Sequence, residues 1–201
     1  AFGRIRASIG LPWDLNAEIS WTPPIQINNS KPDNLWGAAV SKPIINNEKI
    51  GLGLRLFLVR GGAIASVTCS EDNLNFEPYT LQNTAGCIAL SDDKLKMDHE
   101  GIEIFLSLNN SSAILPWISL ASSHLDNSVE IDAPLEVGRE RATVYSSGTT
   151  QTISFGFTYD FNKDWRFNAS SSYTPLDVRR PNYNSDNDNF WNVRFGLTMN
   201  Y

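Results

Sequence analysis

Nowhere in this 201-residue sequence do apolar residues run for the roughly 18 uninterrupted positions that a membrane-spanning helix requires. This argues against a helical anchor or bundle in a bilayer within these residues. Basic residues are also scarce, with 16 Lys and Arg against 22 Asp and Glu and a net charge of -6. No basic face emerges, which argues against a nucleic-acid partner. Cysteine is limited to Cys69 and Cys87, which share one polar stretch without metal-ligand spacing. That pattern suits a disulfide made in an oxidising compartment. No Pro/Gly/Ser-rich linker divides the chain, so 1–201 reads as a single domain. No signal peptide stands within these residues, so in an exported protein that segment has been removed or lies outside the residues given.

What is present is alternation. From Phe190 to Tyr201, Trp191, Val193, Phe195, Leu197, Met199 and Tyr201 are apolar, and the residues between them are small or polar. A period of two is useful to a strand and useless to a helix. Ile153–Phe161, Trp165–Tyr173, Ile102–Leu108, Ile50–Leu58, Ile5–Leu11 and Leu15–Trp21 repeat the design. Two blurred segments, Leu35–Ile44 and Ala113–His124, bring the expected strand number to nine. Ile118 and Leu120 are the apolar side of the second, while Trp36 and Trp117 leave the facing of both open. Connections near Pro12-Trp13-Asp14, Asn46-Asn47-Glu48, Asn109-Asn110-Ser111 and Asn162-Lys163-Asp164 are short; those at 23–34, 69–98, 127–142 and 175–188 are long. Short and long alternate along the chain, as turns and surface loops do in membrane barrels. A barrel of such strands crosses a bilayer with only every second residue apolar, which is compatible with a mean hydropathy of -0.26.

Over essentially its whole length the chain resembles bacterial outer-membrane β-barrel proteins. The most specific part is the end, because that class finishes on an aromatic residue with apolar residues at alternate positions before it, and Val193, Phe195, Leu197, Met199 and Tyr201 match. The resemblance implies recognition of this segment by the barrel-assembly machinery, contact with outer-membrane lipids and lipopolysaccharide, and residence in the bacterial outer membrane. The expected fold is an all-β, transmembrane, antiparallel up-and-down β-barrel with the disulfide-closed loop 69–98 outside the cell. Nine strands conflict with the even number usual in single-chain bacterial barrels. Since Ala1 stands almost at the start of a strand, at least one further strand is expected before it, giving ten or more. A turn at Arg60-Gly61-Gly62 that splits 49–69 into two strands, or a closing strand from a partner, would also restore parity.

In such a barrel Trp21, Tyr159, Trp165, Tyr173, Trp191 and Tyr201 sit near strand ends and suit the membrane interface. Arg4, Arg6, Glu18, Arg55, Glu103, Arg166 and Arg194 point into the lumen. At about ten strands they pack as an Arg/Glu network; in a wider barrel they would favour anionic or polar solutes. Ser122 and His124, with Asp126 or Glu130 to orient the imidazole, carry the alternative of an outer-membrane lipid hydrolase. A Ser and a His two apart are common on β-rich chains, and His99 has no assigned role. Asp177, Asp186 and Asp188, or Glu130, Asp132 and Glu136, lack a complete calcium-loop spacing and read as solvated loops. The expectation is a non-enzymatic barrel without cofactor or metal, either porin-like or a structural or binding subunit of a surface assembly. A soluble lipocalin-like binder is the third possibility.

Overall fold

The computed structural model describes residues 3–109, 113–162, 164–175, 177–178, 186–187 and 189–199. Nine strands form one antiparallel sheet in the order β1 (Ile5–Leu11), β2 (Leu15–Trp21), β3 (Ser30–Asn46), β4 (Ile50–Ala65), β5 (Asp93–Leu108), β6 (Ile114–Leu135), β7 (Gly138–Asp160), β8 (Trp165–Thr174) and β11 (Phe190–Met199). Each strand pairs with its neighbour in sequence, and the sheet curls into a half-barrel. A two-residue ladder of β9 (Asp177–Val178) and β10 (Asp186–Asn187) lies between β8 and β11. Among the described residues, helix is confined to a turn at Pro12–Asp14 and to α1 (Glu71–Leu74). The nine strands expected of these residues are present, and they form an open sheet: β1 and β11 are its edges, neither pairing with a further strand among the described residues.

The short connections are built by local chemistry. Asn47 Oδ1 accepts hydrogen bonds from the amides of Lys49 and Ile50, both at 2.9 Å. Asn162 Oδ1 does the same for Asp164 and Trp165, again at 2.9 Å. An Asn side chain that mimics a backbone turn reverses the chain with few residues. At Pro12–Asp14, Trp13 and Asp14 adopt positive φ of 64° and 59° and reverse β1 into β2.

Two expectations and one alternative need correction. The segment 127–142 is not a loop, because β6 and β7 stay paired from Ile114↔Tyr159 to Leu135↔Gly138. Alternation continues there through Val129, Ile131, Ala133 and Leu135, but on the opposite face from Ile118 and Leu120. Second, β5 begins at Asp93 and β3 at Ser30, so the loops before them are shorter than expected. Third, Arg60-Gly61-Gly62 lies inside the continuous β4, so no turn splits this strand. Its two glycines admit a close approach: a Cβ on Gly61 would lie 2.2 Å from the Asn34 carbonyl oxygen, beside a register shift between Asp33 and Trp36. The bulge brings β3 against β4 where any side chain would collide.

Register fixes the faces. Leu54, Ile104, Leu120, Ile153, Tyr173 and Trp191 lie side by side across β4 to β11 on the outer face. Towards the long-loop end this face changes abruptly: Leu58 is followed by Arg60, Ile102 is preceded by Glu100, Leu120 is followed by Ser122, and Ile153 is preceded by Gln151. The apolar side chains below that line are not buried. Phe155, Phe195 and Leu197 expose 51%, 75% and 62% of their surface, far above core residues. The buried apolar cluster is Cys69, Cys87, Ala133 and Leu135, with Leu74 and Ile131 packed against it. It sits at the long-loop end, where the disulfide Cys69–Cys87 closes its loop as expected.

Candidate functional site

The inner face of the half-barrel carries the charges. Arg6 on β1 pairs with Glu18 on β2 at 3.3 Å. Glu18 also meets Arg55 on β4 at 2.9 Å, and Arg55 reaches Glu103 on β5 at 3.1 Å. The Glu18–Arg55 contact passes over β3, and this is possible because β3 presents Ala39, a small side chain that the pair leaves only 6% exposed. Half-buried and sharing partners, these ions are stiffer than isolated surface pairs. The guanidinium of Arg55 also lies 5.8 Å from the Phe57 ring centroid.

Arg4 and Arg194 join this group electrostatically without a carboxylate of their own. Arg194 on β11 is within Coulombic reach of Arg6, Arg55 and Glu103, and Arg4 of Arg194, Arg6, Glu18 and Arg55. Arg166 is separate. It forms a two-pronged pair with its cross-strand partner Asp160, at 2.6 and 3.2 Å. Of the seven charged residues expected inside, six gather and Arg166 stands apart at the short-turn end.

Sequence reading missed the inner aromatic lining. A Cβ on Gly53 would lie 2.1 Å from Phe105, one on Gly101 2.8 Å from Phe57, and one on Gly156 2.9 Å from Trp117. Each ring thus covers a glycine on an adjacent strand, a known way of filling a small barrel. Trp117 points inward, whereas Trp36 is opposite Trp21 on the outer face. The signal was available as Gly beside inward aromatics, but it could be found only with the register in hand. His99 also belongs to this lining. It packs edge-on against Phe57 at 5.3 Å, and its Nε2 is buried without a hydrogen-bond partner among the described residues.

The outer aromatics occupy two levels. Trp21, Trp36, Tyr173 and Trp191 lie at the upper ends of their apolar rows, with Tyr173 and Trp191 at 4.9 Å between ring centroids. Tyr159, Phe161 and Trp165 lie at the lower ends, and Tyr159 and Phe161 meet at 4.8 Å. Val193, Phe195, Leu197 and Met199 share the outer face of β11; Tyr201 and Asp188 fall outside the described residues.

Ser122 and His124 face outward on β6, just above Leu120. His124 Nε2 lies 3.4 Å from Asp126 Oδ2, but no hydrogen bond links Ser122 to His124 among the described residues. Higher still, the acidic residues are drawn into ion pairs. Glu130 bonds Lys96, and Asp132 holds Arg139, with Nη2 at 2.9 Å, and Arg141 at 3.4 Å. No group of three or more His, Cys, Asp or Glu is placed to hold an ion among the described residues.

These features define a class: an all-β protein with one curled antiparallel sheet, apolar on its outer surface and polar within. In comparisons with known proteins, the sequence matches no family model and no curated protein.

Proposed function

We propose that this chain forms most of the wall of a bacterial outer-membrane β-barrel, non-enzymatic and porin-like. The carrying observation is the apolar outer face, bounded by aromatics and ending sharply at Arg60, Glu100, Ser122 and Gln151. In water such a surface would be a severe aggregation liability. Against acyl chains it is the solvent-matched face, and rows from Trp165 to Tyr173 or Trp191 to Met199, tilted at about 40°, cover roughly the 25 Å apolar band of such membranes.

Lipid also forbids free strand edges, since no water is present to satisfy them. Because β1 and β11 both run towards the short-turn end, an antiparallel ring needs an odd number of further strands between them. One such strand would give ten. The C-terminal strand, with Val193, Phe195, Leu197 and Met199 outward, is the segment the barrel-assembly machinery would read.

The test is incorporation of the full-length protein into lipid vesicles. The expected outcome is heat-modifiable gel mobility, protection of the apolar belt from protease, and conductance in planar bilayers. Purification as a stable monomer without detergent would overturn the reading and favour a soluble binding barrel. A folded but silent barrel would leave a structural or binding role in a surface assembly.

One observation favours a second reading, lipid hydrolysis: Ser122 and His124 face outward at the upper edge of the belt, with Asp126 beside the imidazole. There the side chains would meet the headgroup region. Phospholipid hydrolysis abolished by His124→Ala would establish it; activity that is absent, or equal in the variant, removes it.

A further inference from the structure

Above the apolar belt the pairing of β2 with β3 stops at Trp21↔Trp36 and that of β7 with β8 at Ile153↔Tyr173. Only β3 to β7 continue, and the two edges of this upper sheet are built differently. The β3 edge is short. It carries Lys31, Pro32 and Asp33 and ends at the register shift between Asp33 and Trp36. Charge, proline and a bulge are the devices that keep an edge from accepting another strand. β7 has none of them over Ala142–Gln151, where no residue is charged and none is proline. At about 3.3 Å per residue the free length is roughly 33 Å. Every residue from Gly138 to Thr149 is exposed. One side of this backbone is paired with β6, and the other meets no strand among the described residues.

We propose that this edge of β7 is a docking site for an extended segment of another protein, added as a strand antiparallel to β7. Its lane continues that of β8, which pairs with the same side of β7 and stops at Thr174. The flanking side chains set the chemistry of the segment. On the inner side Ala142, Ser146 and Gly148 are small, and beside this row stand Ile131, Val129 and Leu125 of β6, all half-buried. Apolar residues at alternate positions of the added strand cover that ledge. On the outer side Arg139 and Arg141 share the single carboxylate of Asp132. An acidic residue opposite Arg141 completes the charge. Main-chain bonds supply the affinity, and these two features supply the selection. The site goes beyond the barrel reading and does not depend on it, since the edge lies outside the apolar belt.

The probe is a synthetic peptide copying Asp126–Leu135, which carries Val129, Ile131, Ala133 and Leu135 on one side and Glu130 and Asp132 on the other, and whose sequence already fits the opposite edge of β7. Added to the full-length protein, it should slow hydrogen exchange roughly tenfold at alternate amides of Ala142–Gln151 and leave Ser30–Asp33 unchanged. Fluorescence anisotropy of the labelled peptide should show saturable binding. That binding should be lost when alternate peptide amides are methylated, and lost in Ser146→Lys, which puts an inward charge on the edge. Lys31→Gln, on the other edge, should bind normally. Absence of slowing, equal binding by the methylated peptide, or unchanged binding in Ser146→Lys overturns the proposal. So does protection of the same amides without peptide: at every protein concentration it would mean that the chain's own residues fill the lane, and rising with concentration it would mean that a second copy does. Heat-modifiable mobility reads the barrel separately, so either reading can fail alone.

Discussion

The two halves of β6 differ in which face is apolar, and under the proposed membrane reading that difference assigns a different solvent to each. In its lower half the exposed residues are Ile118 and Leu120 (60% exposed), and the buried ones are Ser119 (2%) and Ser123. In its upper half the same inner face buries Ala133 and Leu135, while His124 and Asp126 are outside. The register does not slip between them. Only the chemistry changes sides. The upper half is organised as a water-soluble protein is, around the Cys69–Cys87 loop and its small core; the lower half is organised the other way round.

The comparison can be broken most forcefully by placing a charge in the belt. Phe195→Arg should destabilise the folded barrel by about 2–4 kcal/mol, the usual penalty for a cation at the lipid-facing midplane. Thr149→Arg, outward on the upper half of β7, should be nearly silent. Urea unfolding from vesicles measures both; equal effects would show that the two outer faces meet the same solvent.

Next in size is the disulfide. Replacing both cysteines by Ser should remove about 3 kcal/mol of loop constraint. The damage should be confined to residues 66–92, seen as faster proteolysis there with unchanged heat-modifiable mobility. Collapse of the whole barrel would show that the two halves are one cooperative unit.

Asp93 sharpens the comparison further, because it clamps the upper half. It is 3% exposed and accepts hydrogen bonds from the amides of Val67 (3.0 Å), Thr68 (2.7 Å) and Asp132 (3.2 Å), and from Ser91 Oγ (2.8 Å). Burial pushes its carboxyl up, but the bonds from Thr68, Ser91 and Asp132 together outweigh burial and hold it below the ordinary 3.8. The depressed value stabilises the fold above the unfolded-state pKa, and that contribution is lost as pH falls through the folded-state value. Asp93→Asn should weaken the loop by about 1.5–3 kcal/mol and remove this acid sensitivity. Hydrogen exchange at Val67 and Thr68, followed against pH, reads both effects.

The smallest contrast uses two glycines of β7. A Cβ on Gly156 in the belt would lie 2.4 Å from the Ala169 carbonyl oxygen, whereas one on Gly148 would meet nothing within 4 Å. Gly156→Ala should therefore cost about 1–3 kcal/mol. Gly148→Ala should be neutral or stabilising by about 0.4–1 kcal/mol, through the unfolded chain. Chemical denaturation of the pair decides it.

Much of the lower half was legible because alternation is a local property. A strand's two faces can be read from successive residues, so the outward rows of β1, β2, β4, β5, β7, β8 and β11, and the inward set from Arg6 to Arg194, follow from parity alone. The upper hairpin escaped for the same reason. Leu125, Val129, Ile131, Ala133 and Leu135 keep the period but occupy the opposite parity from Ile118 and Leu120, and a reading that expects one apolar face sees a break. Asp93 left no signal, since its partners Val67 and Thr68 offer backbone amides, which every residue carries.

The sequence by itself determined the number and order of the strands, their short turns and the facing of the clearly alternating ones, because these depend on near neighbours and on a period of two. Tertiary structure alone decided that Glu18 reaches Arg55 over Ala39, that Arg55 goes on to Glu103, and that Trp117 covers Gly156. Those meetings depend on register and curvature. Both are collective properties of the whole sheet, set by bulges, glycines and side-chain volume on strands far apart in the chain.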